Sequence, residues 1–319
     1  MMFDKILVPL DGSPLAETVL PHVVALARIY DAHLHLLRVL DPQGDPNLLG
    51  SSDPLEWQII KAEANNYLKS ITERLQEIDL HPEFHVMEGS AAESVLEFST
   101  DRDINLIVLS SHGQSGISGW NVSSVVQKII LRARTSIMIV RAYHPSQGEI
   151  YDLHYRRILA PLDGSHRAEA VLPIVDKLAC GQEAELIVYH VVRKPEMPRR
   201  IHLSQEDIEL AEKVTERNRI EAARYLEQVK SRVDAKTETR LVVDEKVIAP
   251  LHEQIEQEQV DLVVLSAHGY SGGTKWPYGS TAISFIAFGT TPLLIYQDLG
   301  KDEMEGTLVE AIARDAGSR

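Results

Sequence analysis

KILVPLDGSPLAETVLPHVV, from Lys5 to Val24, is answered further along the chain by RILAPLDGSHRAEAVLPIVD, from Arg157 to Asp176. Thirteen of these twenty positions are identical. In each copy a short apolar run ends at Pro-Leu-Asp-Gly-Ser and gives way to apolar residues at helical spacing, the pattern of a buried strand turning into a helix. A second match follows in the same order: Asn105–Gly113 reads NLIVLSSHG and Asp261–Gly269 reads DLVVLSAHG. Two matches in one order, at nearly one separation, mean a duplicated domain.

Outward from these anchors, apolar runs alternate with helical patterns. The first repeat predicts strands at Ile6–Leu10, Leu34–Leu40, Glu83–Met87, Leu106–Leu109 and Ile137–Arg141. Helices are predicted at Pro14–Tyr30, at Ala91–Thr100, near Val122–Arg132, and along one apolar face formed by Leu55, Ile59, Ile60, Tyr67, Leu68, Ile71, Leu75 and Ile78. The second repeat predicts strands at Ile158–Leu162, Leu186–Val192, Thr239–Val243, Leu262–Leu265 and Leu293–Tyr296. Its long helix begins at Ser204, where Ser-x-x-Asp offers an N-cap. Strict alternation of strand and helix implies a parallel sheet with helices on both faces. The expected class is therefore α/β, with two tandem doubly wound parallel five-stranded sheets, over residues 1–145 and 154–298. Between them AYHPSQGEIYDLHY, Ala142–Tyr155, supplies the Pro, Gly and polar residues of a boundary. A charged tail over residues 299–319 carries one weak helical stretch, Met304–Ala313.

A chain of 319 residues accommodates about two domains. With 44% apolar and 25% charged residues it has the composition of a folded globular protein. A formal net charge of -15 argues against a nucleic-acid partner, which needs clustered cations. The single cysteine, Cys180, allows neither a disulfide framework nor a thiolate metal cage, and reads as a small apolar residue near a helix end. No basic leader and no apolar run of about 18 residues occurs, so no membrane partner and a cytoplasmic location are expected.

Ligands of an open parallel sheet bind beyond the carboxyl ends of its strands, where the winding reverses. Two segments stand there in each repeat: Asp11-Gly12-Ser13 with Ser110-Ser111-His112-Gly113, and Asp163-Gly164-Ser165 with Ser266-Ala267-His268-Gly269. The later segment of each pair is rich in small residues and runs into a helix start, an arrangement that points N–H groups at an anion. In the second repeat it extends as SAHGYSGGTKWPYGST, Ser266–Thr281, where glycine permits close approach to phosphate and Ser or Thr adds a hydroxyl donor. Asp163 could accept from a ribose hydroxyl or a base amine. Lys275 could reach a phosphate or stand solvated.

Taken together, I-L-x-P-x-D-G-S followed by (D/N)-L-I-V-x-x-x-H-G resembles the universal stress protein family in its tandem form, over roughly Phe3–Arg141 and Arg156–Gln297. The resemblance implies a Rossmann-like fold, similar to the adenine nucleotide alpha hydrolases, with strand order 3-2-1-4-5. It also implies ATP, or another adenine nucleotide, as ligand, with Mg2+ as a candidate companion. In ATP-binding members the loop follows G-x2-G-x9-G-(S/T), and backbone amides hold the phosphates. That pattern falls on Ser266, Gly269, Gly279 and Ser280, beside Leu265 and Thr281, with one glycine replaced. In the first repeat it falls on Ser110, Gly113, Ser123 and Ser124, with two glycines replaced. The same resemblance puts Asp11 or Asp163 beside the adenosine, Val39 or Val191 against the base through its backbone, and Pro9 or Pro161 in the pocket wall. Where the first repeat has Gly89 the second has Glu245, a local backbone difference. The second repeat is expected to be the better nucleotide site.

Competing chemistries find less in the sequence. A serine hydrolase would need G-x-S-x-G, whereas Gly113-Gln114-Ser115-Gly116 has the wrong spacing, and His112 and His268 read as loop-shaping residues. No G-x4-G-K-(S/T) occurs, which argues against rapid phosphoryl transfer. His33 and His35 would share one strand face, but no third ligand stands at short spacing, and they read as surface or edge histidines. The expected function is an ATP-binding regulatory protein of the stress response. A nucleotide-independent scaffold or chaperone-like factor is the alternative, ahead of a slow ATPase or an adenylyl-chemistry enzyme. The last strand of each repeat would lie at a sheet edge and need covering, which suggests an internal pseudo-dimer and a homodimer of chains.

Overall fold

The computed structural model describes residues 2–41, 54–114, 122–142, 153–195, 204–270 and 277–299. Lys275, Ser115, Gly116 and the stretch Met304–Ala313 lie outside the described residues. The chain divides into two compact units, Met1–His154 with Phe285–Arg319, and Tyr155–Ser284.

The first repeat runs β1 (Lys5–Pro9), α1 (Pro14–Glu17), α2 (Leu20–Tyr30), β2 (His33–Leu40), α3 (Pro54–Gln76), β3 (Glu83–Glu88), α4 (Ala91–Asp101), β4 (Leu106–Ser110), α5 (Ser124–Arg132) and β5 (Ser136–Val140). Its strands stand in the order β3-β2-β1-β4-β5, all parallel, which is the expected 3-2-1-4-5. Helices on both faces exclude water, so β4 and β5 are buried at every residue. The second repeat runs β6 (Arg157–Pro161), α6 (His166–Glu169), α7 (Leu172–Gln182), β7 (Glu185–Arg193), α8 (Gln205–Lys230), β8 (Thr237–Asp244), α9 (Ile248–Gln257), β9 (Leu262–Ser266), α10 (Ser280–Phe288) and β10 (Leu293–Tyr296). Within the second unit the parallel order is β8-β7-β6-β9.

β10 lies in the first unit. It pairs antiparallel with β5, placing Leu293 opposite Ile139, Leu294 opposite Met138 and Ile295 opposite Ile137. β5, apolar apart from Ser136, would otherwise present an open edge, and β10 supplies the backbone partners that such an edge demands. Two side chains lock the join: the buried Arg141 guanidinium donates to the Phe285 carbonyl at 2.7 Å, and the Gln297 amide donates to Ser136 Oγ at 3.1 Å. The sheet of the first unit is thus mixed, its one antiparallel strand coming from the end of the second repeat.

Local chemistry accounts for where the elements differ from the sequence pattern. The single helix expected at Pro14–Tyr30 is two, α1 and α2, because Pro21 has no N–H to donate to Glu17 and breaks the helix there. Pro173 divides α6 from α7 in the same way. The apolar face of α3 is buried only from Ala64 onward; Leu55 and Ile59 are exposed, while Trp57 and Ile60 pack against Leu40 and Ala64. Ser204 caps α8 as expected, and Asp207 reaches back to the Ser204 amide to complete a capping box. Gly89 takes φ +137°, a conformation Glu245 does not share, so the two repeats do differ in backbone at this turn.

Candidate functional site

Both repeats staple the loop after their first strand to the loop after their fourth with one aspartate. Asp11 Oδ1 accepts from the Ser13 amide at 2.9 Å and Oδ2 from the Gln114 amide at 2.5 Å. Asp163 Oδ1 accepts from the amide and hydroxyl of Ser165 at 3.0 and 2.6 Å, and Oδ2 from the Tyr270 amide at 2.6 Å. The glycine before each loop donor is required by this contact. A Cβ on Gly113 would lie 1.9 Å from Asp11 Oδ2, and one on Gly269 would lie 2.2 Å from Asp163 Oδ2. Ser13 and Ser165 cap α1 and α6, so the turn holding the aspartate is itself held. His112 and His268 are buried under these loops, at 1% and 2% exposure.

Beyond the staples the repeats diverge. In the first, Ser123 caps α5, its hydroxyl accepting from the Val126 amide at 3.3 Å. Its φ of -68° shows that this position needs no left-handed backbone. In the second, Gly279 precedes α10 and its amide donates to the Ala267 carbonyl at 2.8 Å, as the Ser123 amide donates to the Ser111 carbonyl at 2.8 Å. The backbone is therefore equivalent and only the capping hydroxyl is missing, which leaves the first N–H groups of α10 to another acceptor. A similar contrast holds at the strand ends. Ser110 Oγ stands 2.8 and 2.7 Å from the carbonyl oxygens of Leu15 and His112 and donates its one proton between them. Ser266 Oγ is buried without a hydrogen-bond partner among the described residues.

A cavity of about 1900 Å³ lies beside that residue, wholly within the second unit. The predicted residues Pro161, Asp163, Val191, Leu265, Ser266 and Gly269 all line it, as do Gly279, Ser280 and Thr281 at the start of α10. In the first repeat Pro9 ends β1, Val39 is on β2 and Ser110 ends β4, while Asp11 and Gly113 form the staple and Ser123 and Ser124 open α5.

Side chains that the sequence pattern did not single out complete the cavity. His190 projects from β7, its Nδ1 2.8 Å from the Leu162 carbonyl oxygen, and its ring meets Tyr225 of α8 edge-on at 5.9 Å. Burial lowers the His190 pKa, so the ring is neutral near pH 7. Burial likewise raises the Tyr225 phenol, which has no hydrogen-bond partner among the described residues. Tyr67 of α3 shares that condition. The dipeptides Tyr67-Leu68 and Tyr225-Leu226 are one repeated signal on the long helices, which would have disclosed both phenols. Arg38 stands in the first repeat where His190 stands in the second, its guanidinium 3.7 Å from the place a Cβ on Gly12 would take.

Of the histidine pair on β2, His33 is exposed and His35 is buried. The neighbours of His35 are Glu83 and His85 on β3. Cys180 is exposed near the end of α7, its Sγ 3.9 Å from Asp176 Oδ1. Among the described residues no helix is long and apolar enough to cross a membrane.

The family model described as "Universal stress protein family" matches residues 2–141 and again 154–297. The chain is 24% identical over 144 residues to a universal stress protein of Methanocaldococcus jannaschii, spanning 44% of this chain and 83% of that protein. It is 28% identical over 153 residues to a universal stress protein of Synechocystis sp., spanning 44% of this chain and 99% of that one. Among solved structures, a universal stress protein from Archaeoglobus fulgidus gives a TM-score of 0.66 at 15% identity, over 94% of this chain and 100% of that chain. A functionally unknown protein from Pseudomonas aeruginosa gives 0.69 at 14% identity, over 96% and 95%. At those identities the likeness is one of fold.

Proposed function

The chain belongs to the universal stress protein family, and from that membership we propose that it is an adenine-nucleotide-binding regulatory protein of the stress response, holding ATP in its second repeat. The observation that carries the choice of repeat is the exchange of Ser123 for Gly279 at one backbone position. A serine there satisfies a helix N-terminus from within; a glycine leaves amide donors and the positive end of the helix dipole for a phosphate chain.

Three further features support the reading. Ser266 lines the same cavity, and its buried hydroxyl has no hydrogen-bond partner among the described residues. Asp163 retains lone pairs beyond its three donors and can accept from a ribose hydroxyl. Tyr225 and His190 offer aromatic faces to a base. Ser280 and Thr281 would receive the phosphates through their amides, with Mg2+ neutralising the charge that the helix end does not. Occupancy would then shift the protein toward its nucleotide-bound conformation, and with it the surface offered to a partner.

The test is direct. Purified protein is denatured and its supernatant assayed for adenine nucleotide, and ATP is titrated calorimetrically into the full chain and into Gly279→Ser. A Cβ at 279 would meet nothing closer than the Ala267 carbonyl oxygen at 3.4 Å, so the variant folds. Its new hydroxyl should cap α10 and weaken ATP by about tenfold, while the unfolding midpoint holds or rises slightly. If the wild type carries no nucleotide and shows no heat on titration, the proposal fails and the scaffold reading takes its place.

A further inference from the structure

We infer that His35, Glu83 and His85 form a binding site for a divalent transition-metal ion, Zn2+ being the natural occupant, in the first repeat at the amino-terminal halves of β2 and β3. His35 pairs in register with Glu83, and Leu37 with His85, so the parallel β2–β3 ladder sets all three side chains on one face of the sheet. One nitrogen from each ring and one carboxylate oxygen lie within 4.8 Å of one another. Glu83 Oε2 is 3.8 Å from His35 Nδ1 and 3.6 Å from His85 Nε2.

Those separations are too long for hydrogen bonds, and both nitrogens are buried without a hydrogen-bond partner. They are close to what a metal requires. Ligand atoms 2.0–2.1 Å from a tetrahedral centre stand about 3.3 Å apart, so a closure of a few tenths of an ångström brings each nitrogen–oxygen pair into place. Two imidazoles and a carboxylate make up the three-ligand set of zinc centres that keep a fourth position for water, whereas Ca2+ and Mg2+ prefer oxygen alone. Phe98 packs against both imidazoles, at 5.9 and 4.9 Å between ring centroids, and keeps the rings oriented.

The second repeat supplies the contrast. Its register puts Ile187 and Arg240 where the first has His35 and His85, around Glu238 in place of Glu83. There the carboxylate is satisfied by a resident cation, since Arg240 pairs with Glu238 and, at 3.2 Å, with Glu258. Among the described residues of the first repeat, the guanidinium near Glu83 is that of Arg102, 3.9 Å away at the exposed rim, where it also overlies Phe98. His85 thus stands beside Glu83 where the second repeat has a guanidinium, and a bound metal ion would supply a positive charge there.

The experiment uses the full chain stripped with chelator and dialysed, with Zn2+ alone as titrant in calorimetry and Co2+ as a spectroscopic probe. One equivalent of Zn2+ is expected, together with the intense visible absorption of four-coordinate cobalt. His85→Ala and Glu83→Gln, both at partly or fully exposed positions on an edge strand, should keep the metal-free unfolding midpoint and weaken Zn2+ by at least about 100-fold, more than loss of an outer-shell partner costs. His81→Ala, an exposed control, should bind as wild type does. Absence of a one-equivalent site in the wild type, or a site that survives either His85→Ala or Glu83→Gln, overturns the assignment.

Discussion

At the scale of single residues, the site is organised by an aspartate that serves the protein before any ligand. Asp163 joins two loops through backbone amides, and Gly269 is glycine because the carboxylate occupies the space a side chain would need. Gly269→Ala should therefore push the carboxylate off the Tyr270 amide and cost about 0.5–1.5 kcal/mol in urea unfolding, the net worth of a solvent-accessible hydrogen bond. Pairing it with Asp163→Ala should recover part of that loss, and additive costs would show that the clash is not the cause. Asp-Gly-Ser and His-Gly could be read from the sequence as crevice residues, because both recur in both repeats. That one grips the backbone beside the other could not, since the contact spans about a hundred residues and depends on where two loops come to rest.

At the scale of elements, α2 shows how one fold tolerates different interiors. It is buried on nearly every side, and His22 sits within it where α7 carries Ile174. Burial pushes the His22 pKa down to about 4, well below the ordinary value near 6.5. The folded state thus binds the proton less readily than the unfolded one. Its stability is whole above about pH 6.5 and declines as pH falls toward 4, by a few kcal/mol at most. His22→Ile should fold and flatten that part of the stability–pH profile; an unchanged slope between those pH values would assign it to other groups. Strand order and helix order were legible because parallel strands buried on both faces read as continuous apolar runs. Breaks within helices were less so, as Pro21 and Pro173 fell inside an unbroken apolar pattern. The cluster at His35 was hidden for a different reason: Glu83 and His85 lie 48 and 50 residues beyond His35 and meet it only through the β2–β3 register.

At the scale of the whole molecule, duplication has produced unequal copies. One carries the unspent amides and hydroxyl of the proposed nucleotide site, the other the orphaned imidazoles of the proposed metal site. The copies are also not separable at their sequence boundary, because β10 completes the sheet of the first unit. A polypeptide of residues 1–154 should accordingly self-associate through β5, seen as aggregates or dimers by light scattering; a monomer that unfolds cooperatively would show that β10 is dispensable. The same feature governs the protein's birth on the ribosome. β5 leaves the exit tunnel roughly 150 residues ahead of the strand that covers it, which at 5–20 residues per second is a delay on the order of ten seconds. During that interval every nascent chain displays an unpaired apolar strand, and neighbouring ribosomes on one message hold such strands close together. The four residues of β10 are thus what ends the exposure.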